Sequence, residues 1–258
     1  MKRFTTAAVL LASIAGTAQA QDAPAPTHRY RVALGPGIGP KYPGADNYRF
    51  QPLINVDRAT GDEPFAFEAA DESFAIPLFN RNGFAIGPAV NFESRRRARD
   101  VGVNVPTVKF TVEAGGFVQY QLTPGFRLRA EARQGIGGHK GLIGTVGGDF
   151  IARDGDRWLF SVGPRVTFVN DRYSRSYFGI TPATALVTGL PAYRAKGGLE
   201  AVGATAGALH QLGEHWGVTG YVKYDRLVDN PARSPLVRDY GSRDQFSGGI
   251  GLSYTFGR

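Results

Sequence analysis

From Phe126 to Arg133 the chain reads Phe-Arg-Leu-Arg-Ala-Glu-Ala-Arg. In an extended strand, successive side chains point to opposite faces. Phe126, Leu128, Ala130 and Ala132 therefore share one face, and Arg127, Arg129, Glu131 and Arg133 the other. That second face is too charged for the dry interior of a soluble sandwich, because each buried ion needs a partner or water. An apolar outside and a charged inside suit the wall of a membrane β-barrel. The same period returns elsewhere. Phe246, Ile250, Leu252, Tyr254 and Phe256 oppose Ser247, Gly249, Gly251, Ser253 and Thr255, and Trp216, Val218, Val222 and Tyr224 oppose Thr219, Tyr221, Lys223 and Asp225. Trp158, Phe160, Val162, Val166 and Phe168 likewise alternate with Ser161, Gly163, Arg165 and Thr167. A secreted sandwich with one wet face would alternate too. Aromatics at strand ends, Trp158, Trp216 and Phe256, favour membrane girdles.

The amino terminus predicts export. Lys2 and Arg3 precede an uncharged stretch from Phe4 to Ala15, and Ala18-Gln19-Ala20 supplies a cleavage pattern. Residues 1–20 are expected to be a removed signal peptide and 21–258 one barrel domain. Beyond the signal, the 258 residues hold no apolar run of the roughly 18 needed for a membrane helix, whereas a barrel strand needs only about 9 to 11. Zero cysteines exclude disulfides, thiol nucleophiles and cysteine-bound metals. The charge of +8 admits an acidic partner, and export argues against nucleic acid as that partner.

Short turns are expected at Arg58 to Glu63, Asn80 to Gly83, Thr123 to Gly125, Asp154 to Asp156 and Gly213 to His215. Longer loops are expected near Pro40 to Asn47, Asp71 to Ser73, Ser94 to Val105, Gly135 to Gly141, Asp171 to Gly198 and Asp229 to Asp244. Five turns and six loops join about twelve antiparallel strands, with short turns periplasmic and long loops outside. Ten strands is the alternative. Phe65 to Ala70 is a short third strand, and Pro77 interrupts the fourth.

Several ordered motifs resemble the MipA/OmpV family of Gram-negative outer-membrane proteins. They are Gly37-Ile38-Gly39, Tyr42-Pro43-Gly44-Ala45-Asp46-Asn47-Tyr48-Arg49, Tyr177-Phe178-Gly179-Ile180 and Gly189-Leu190-Pro191-Ala192-Tyr193. Ser234-Pro235-Leu236-Val237, Gly241-Ser242-Arg243 with Gln245, and Tyr254-Thr255-Phe256 continue the likeness, which spans the chain from Val32 onward. The resemblance implies an outer-membrane barrel without catalytic site, cofactor or metal. It further implies a scaffold contacting a murein-cleaving lytic transglycosylase and a murein synthase; other members are porin-like proteins or adhesins.

The inward charges are the richest candidate site. Counting back from the turn at Thr123 to Gly125 sets Gln121 opposite Arg127, Gln119 opposite Arg129 and Gly115 near Arg133. Glu113, Glu131, Asp225, Arg127, Arg129, Arg133, Arg165 and Lys223 are expected to line the lumen. They form either a neutralising network that closes it or a cation-rich path for small anions. A barrel of about twelve strands is narrower than open porins, which favours closure.

Basic residues also gather in the loops. Arg95, Arg96, Arg97 and Arg99 form a run, and Lys41, Arg49, Lys140, Arg172, Arg175, Arg194, Lys196, Arg233, Arg238 and Arg243 lie in or beside the others. They suit either a solvated surface or contact with lipopolysaccharide phosphates. Murein enzymes would meet the periplasmic side, at Gln21 to Arg29 and at turns carrying Arg58, Asp62, Glu63, Arg81, Asp154, Asp156, Glu214 and His215. Catalytic patterns are sparse. The glycine clusters at Gly35 to Gly44 and Gly135 to Gly141 lead into no helix, so they are strand and loop glycines rather than phosphate cradles. His210 and His215 flank a turn at metal-compatible spacing but read as solvated. Ser174, Ser176 or Ser234 with His139 would make a hydrolase only if the fold joined them, and no nucleophile-elbow pattern surrounds them.

Overall fold

The computed structural model describes residues 27–257, so the expected signal segment lies outside the described residues. Twelve antiparallel strands build one sheet: β1 (His28–Pro40), β2 (Tyr48–Thr60), β3 (Phe74–Ala75), β4 (Phe79–Arg81), β5 (Phe84–Glu93), β6 (Thr111–Thr123), β7 (Phe126–Gly137), β8 (Leu142–Asp154), β9 (Trp158–Val169), β10 (Gly198–Gln211), β11 (Trp216–Leu227) and β12 (Asp244–Phe256). Five short helices lie in the long connections: α1 (Ala98–Val101), α2 (Asp171–Phe178), α3 (Pro182–Thr188), α4 (Asp229–Arg233) and α5 (Pro235–Tyr240).

The first strand pairs with the last, Tyr30 opposite Phe256 and Leu34 opposite Leu252, and this curls the row of hairpins around a central lumen. From β2 the order runs β1, β12, β11 and on to β5, with β3 and β4 both against the remaining edge of β5. Ile76 N–H donates to Pro88 O at 3.2 Å and Leu78 N–H to Ile86 O at 3.0 Å. The two fragments therefore act as one strand broken only where Pro77 has no N–H to give.

The alternation holds around the wall. Leu252 is 56% exposed on the outside and its neighbour Ser253 is fully buried inside. Phe50, Ile54, Val56, Phe160, Val222 and Ile250 are likewise exposed outward, while Arg127, Arg129, Glu131, Arg133 and Arg165 are buried inward. The hairpin register matches expectation, with Gln121 opposite Arg127, Gln119 opposite Arg129 and Gly115 opposite Arg133.

All five short turns form at one end. At the tightest, Asn82 and Gly83 adopt φ of 52° and 79°, the left-handed pair that a two-residue hairpin turn demands. The long connections 41–47, 94–110, 138–141, 170–197 and 228–243 gather at the other end.

One expectation fails. Phe65 to Ala70 is not a strand and Asp71 to Ser73 is not an outer loop. After β2 the chain turns into the lumen and rises through it as residues 62–73, then leaves to form β3 and β4. The reason is chemical. This segment carries carboxylates that the wall's inward arginines attract, and aromatic rings on which those arginines stack.

Candidate functional site

The lumen is built from three layers. The lowest is a clamp on Phe65, which is 1% exposed. Its ring lies under the guanidinium groups of Arg29 and Arg31 on β1, 5.1 and 4.4 Å from the centroid. Its backbone is held from the opposite wall, where Phe65 N–H donates to Asp156 Oδ1 at 2.9 Å and Arg153 donates to Phe65 O at 2.9 Å. Arg29 also reaches Glu63 O at 2.6 Å and Asp156 at 3.0 Å. Bonds to β1, to β8 and to the β8–β9 turn from one short stretch are possible only for chain running between the walls.

The middle layer is ionic. Arg127 stacks on Phe67 at 4.4 Å, donates to Phe67 O at 3.1 Å, and pairs with Glu72. Arg165 grips Asp71 with two bonds, Nε to Oδ2 at 3.0 Å and Nη2 to Oδ1 at 3.1 Å, and Lys223 Nζ lies 3.4 Å from the same carboxylate. Asp149 of β8 bridges the two arginines, 2.7 Å from each. Ser73 donates to Glu131 at 2.8 Å. Glu131 also takes Arg129 at 2.6 Å, Arg133 bonds Glu113 at 3.0 Å, and Lys223 lies 3.1 Å from Asp225. All eight expected lumen residues therefore meet in one neutralising network.

Sequence reasoning missed Asp71, Glu72 and Asp149. A signal existed. The expected set held five cations and three carboxylates, and buried cations without partners are too costly to leave. The missing carboxylates had to come from somewhere.

The top layer is a folded cap that contains most of the motif residues. Tyr42, Ala45, Val101, Tyr173, Tyr177, Phe178, Ile180, Leu236 and Val237 pack as one buried apolar cluster, with Leu190 and Tyr193 partly buried against it. Gly44, at φ 91°, sits where a Cβ would come within 3.0 Å of Val237 and 3.2 Å of Phe178. Ser234 donates to Phe178 O at 2.7 Å and accepts from Leu236 N–H, so with Pro235 it starts α5 and ties it to α2. Gly179 and Gly189 end α2 and α3. Tyr193 donates to Asn230 O at 2.8 Å. Asp46, Tyr48 and Pro191 remain exposed, and Pro43 is half-buried at the chamber below.

Arg96, expected in an exposed basic run, is buried. It donates to Tyr177 O at 2.8 Å and Pro106 O at 2.9 Å, while Arg95, Arg97 and Arg99 stay outside. Burial holds the Arg96 guanidinium below its ordinary range and pushes the Tyr42 phenol up to about 12. Between cap and middle layer lies a chamber of about 380 Å³, walled by residues such as Tyr42, Tyr173, Arg49, Glu93, Glu200 and Gln245, with Asp71, Glu72 and Ser73 at its floor.

The hydrolase candidates do not assemble. His139 Nε2 faces Glu113 at 3.0 Å and its Nδ1 accepts from Gly141 N–H at 3.0 Å, so neither ring nitrogen is free for a serine. Ser176 bonds backbone carbonyls of His139 and Arg172, and Ser234 is spent in the cap. His215 bonds Thr255 O and stacks on Tyr254. No group of three potential metal ligands occurs among the described residues.

A family model described as MltA-interacting protein MipA matches residues 32–256, most of the chain. No curated protein matches it. Three solved structures are similar at low identity. An outer membrane channel from Pseudomonas putida F1 shares 8% identity over 93% of this chain and 100% of its own, with a TM-score of 0.37. OmpT, an outer membrane protein of Vibrio cholerae, shares 9% over 93% and 100%, with a TM-score of 0.35. The Ralstonia pickettii toluene transporter TbuX shares 9% over 90% and 89%, with a TM-score of 0.32.

Proposed function

We propose, from the premise that this chain belongs to the MipA family of MltA-interacting proteins, that it is a non-enzymatic outer-membrane adaptor holding murein-remodelling enzymes, a lytic transglycosylase and a murein synthase, at its periplasmic end. The observation that carries this reading is the filled lumen. Residues 62–73 occupy the space a porin leaves open, tied to β7, β9 and β11 by buried ion pairs, to β1 by the stacking of Arg31 on Phe65 and to β8 by the Arg153 bond to Phe65 O. A wall whose interior is closed and whose outer face meets lipid has its turns and its loops left for partners.

The turn end offers Asp62, Glu63, Arg81, Asp154 and Glu214, all exposed. Asp156 does not join them, because Arg29 and Arg153 take its carboxylate. So small a surface predicts weak to moderate binding. At the loop end Arg172, Arg194, Lys196, Arg233, Arg238 and Arg243 are exposed and fit the phosphates of lipopolysaccharide through charge-assisted bonds.

Capture on immobilised barrel tests the reading. The native chain retains a murein hydrolase or synthase from periplasmic extract, Asp154→Lys with Glu214→Lys weakens that retention, and the barrel conducts poorly in a planar bilayer. Large conductance with no murein enzyme retained would replace the adaptor by a small-solute channel.

A further inference from the structure

Asp71 and Glu72 occupy the best-built charged positions in the lumen, yet neither belongs to the wall. They stand on a segment without regular structure, and their side chains are 6% and 11% exposed. Each oxygen of Asp71 receives one N–H of Arg165, at 3.0 and 3.1 Å. This is the planar fork with which arginine grips a free carboxylate or phosphate. Lys223 completes that position at 3.4 Å, and Glu72 lies against Arg127 with Arg129 Nε at 3.6 Å. Behind them Asp149 holds both Arg127 and Arg165 at 2.7 Å, so the two forks are fixed by the wall and not by the segment. Such pre-positioning is what a binding site needs. The chamber above opens onto this floor, where Asp71, Glu72, Arg129, Arg165 and Lys223 line it.

We propose that Arg127, Arg129, Arg165 and Lys223 form a binding site for a small dianionic solute bearing carboxylate or phosphate groups, and that Asp71 and Glu72 are its built-in substitute. Two anionic positions spaced as on consecutive residues match a solute with two such groups on a short frame. The substitute is tethered, so its local concentration is on the order of millimolar, and a solute enters only by displacing the segment.

Neutralising the substitute tests this. In folded barrel carrying Asp71→Asn and Glu72→Gln, the wall cations keep Asp149, Glu131 and Asp225 but lose the two carboxylates of the segment, and the unfolding temperature falls. Millimolar succinate or inorganic phosphate then raises it again by binding the folded state, whichever of the two is effective naming the group recognised, while putrescine does not and the native barrel responds far less. A melt of the variant indifferent to both anions, or an equal rise in the native barrel, overturns the proposal.

If the double variant does not fold, Ala70→Cys in the otherwise native chain carries the test. The chain has no other cysteine, and Ala70 faces the chamber. Succinate or phosphate that displaces the segment changes the rate at which a neutral thiol reagent modifies Cys at that position several-fold. A rate unmoved by either anion at millimolar concentration overturns the proposal.

Discussion

Leu252 and Ser253 are adjacent in sequence and face opposite solvents. One is 56% exposed to the lipid side and the other is fully buried against the lumen. Arginine at Leu252 is therefore expected to cost about 2 to 4 kcal/mol near the bilayer midplane. Arginine at Ser253 meets no lipid, and its cost is set by crowding instead. The fraction of heat-resistant folded barrel on a gel reads both, and a Leu252→Arg variant that keeps its folded fraction would mean that the strand is out of register by one, with Leu252 turned to the lumen. This part of the molecule was legible because period-2 alternation is a local property: Phe126 to Arg133 needs no distant residue to declare its two faces. Asp149 was not legible on the same grounds. It sits in a glycine-rich strand where Gly147 and Gly148 dilute the alternation, and its two partners lie on neighbouring strands.

The elements that sequence placed well are those joined by short turns, since a turn such as Asn82-Gly83 dictates both reversal and register. The elements it misplaced lie between β2 and β5. Phe65, Phe67 and Ala69 alternate with Ala66, Glu68 and Ala70 as a strand would. What overrides the pattern is the demand of distant arginines for partners, and nothing within the segment reveals it. The cap was legible only as motifs. The resemblance marked Tyr42, Gly44, Tyr177, Phe178 and Ser234, but their meeting in one cap depends on separate loops, 56 residues apart for Phe178 and Ser234 and farther still for Tyr42. Arg96 binds this cap through carbonyls of Tyr177 and Pro106. Arg96→Met removes two charge-assisted bonds worth about 1.5 to 3 kcal/mol each. The expected outcome is faster protease cleavage within 94–110 while the barrel keeps its heat resistance. If the barrel itself melts, cap and wall are one cooperative unit.

At the scale of the whole molecule the sheet has two unlike edges, β2 and the broken strand made of β3 and β4, and among the described residues no ladder joins them. Elsewhere every long strand has a partner on both sides, which is the condition for backbone in hydrocarbon. Stability must then be graded around the wall. β7 and β8 lie deep in the ladder, and their inward side chains, Arg127, Arg129, Glu131, Arg133 and Asp149, hold most of the ionic network. β3 and β4 contribute five residues, lean on one neighbour and are broken by a proline. Amide hydrogen exchange in lipid is expected to be slowest across β6 to β9 and fastest in β3 and β4, because local opening follows the number of bonds that must break. The inner segment leaves the lumen directly into β3, so opening of that edge would carry Asp71 and Glu72 with it. An exchange map in which residues 62–73 and the β3–β4 edge gain protection together when Asp71 is bound to Arg165, and lose it together in Arg165→Gln, would make them one unit. Loss confined to residues 62–73 would mean that the segment moves while the β3–β4 edge keeps its place.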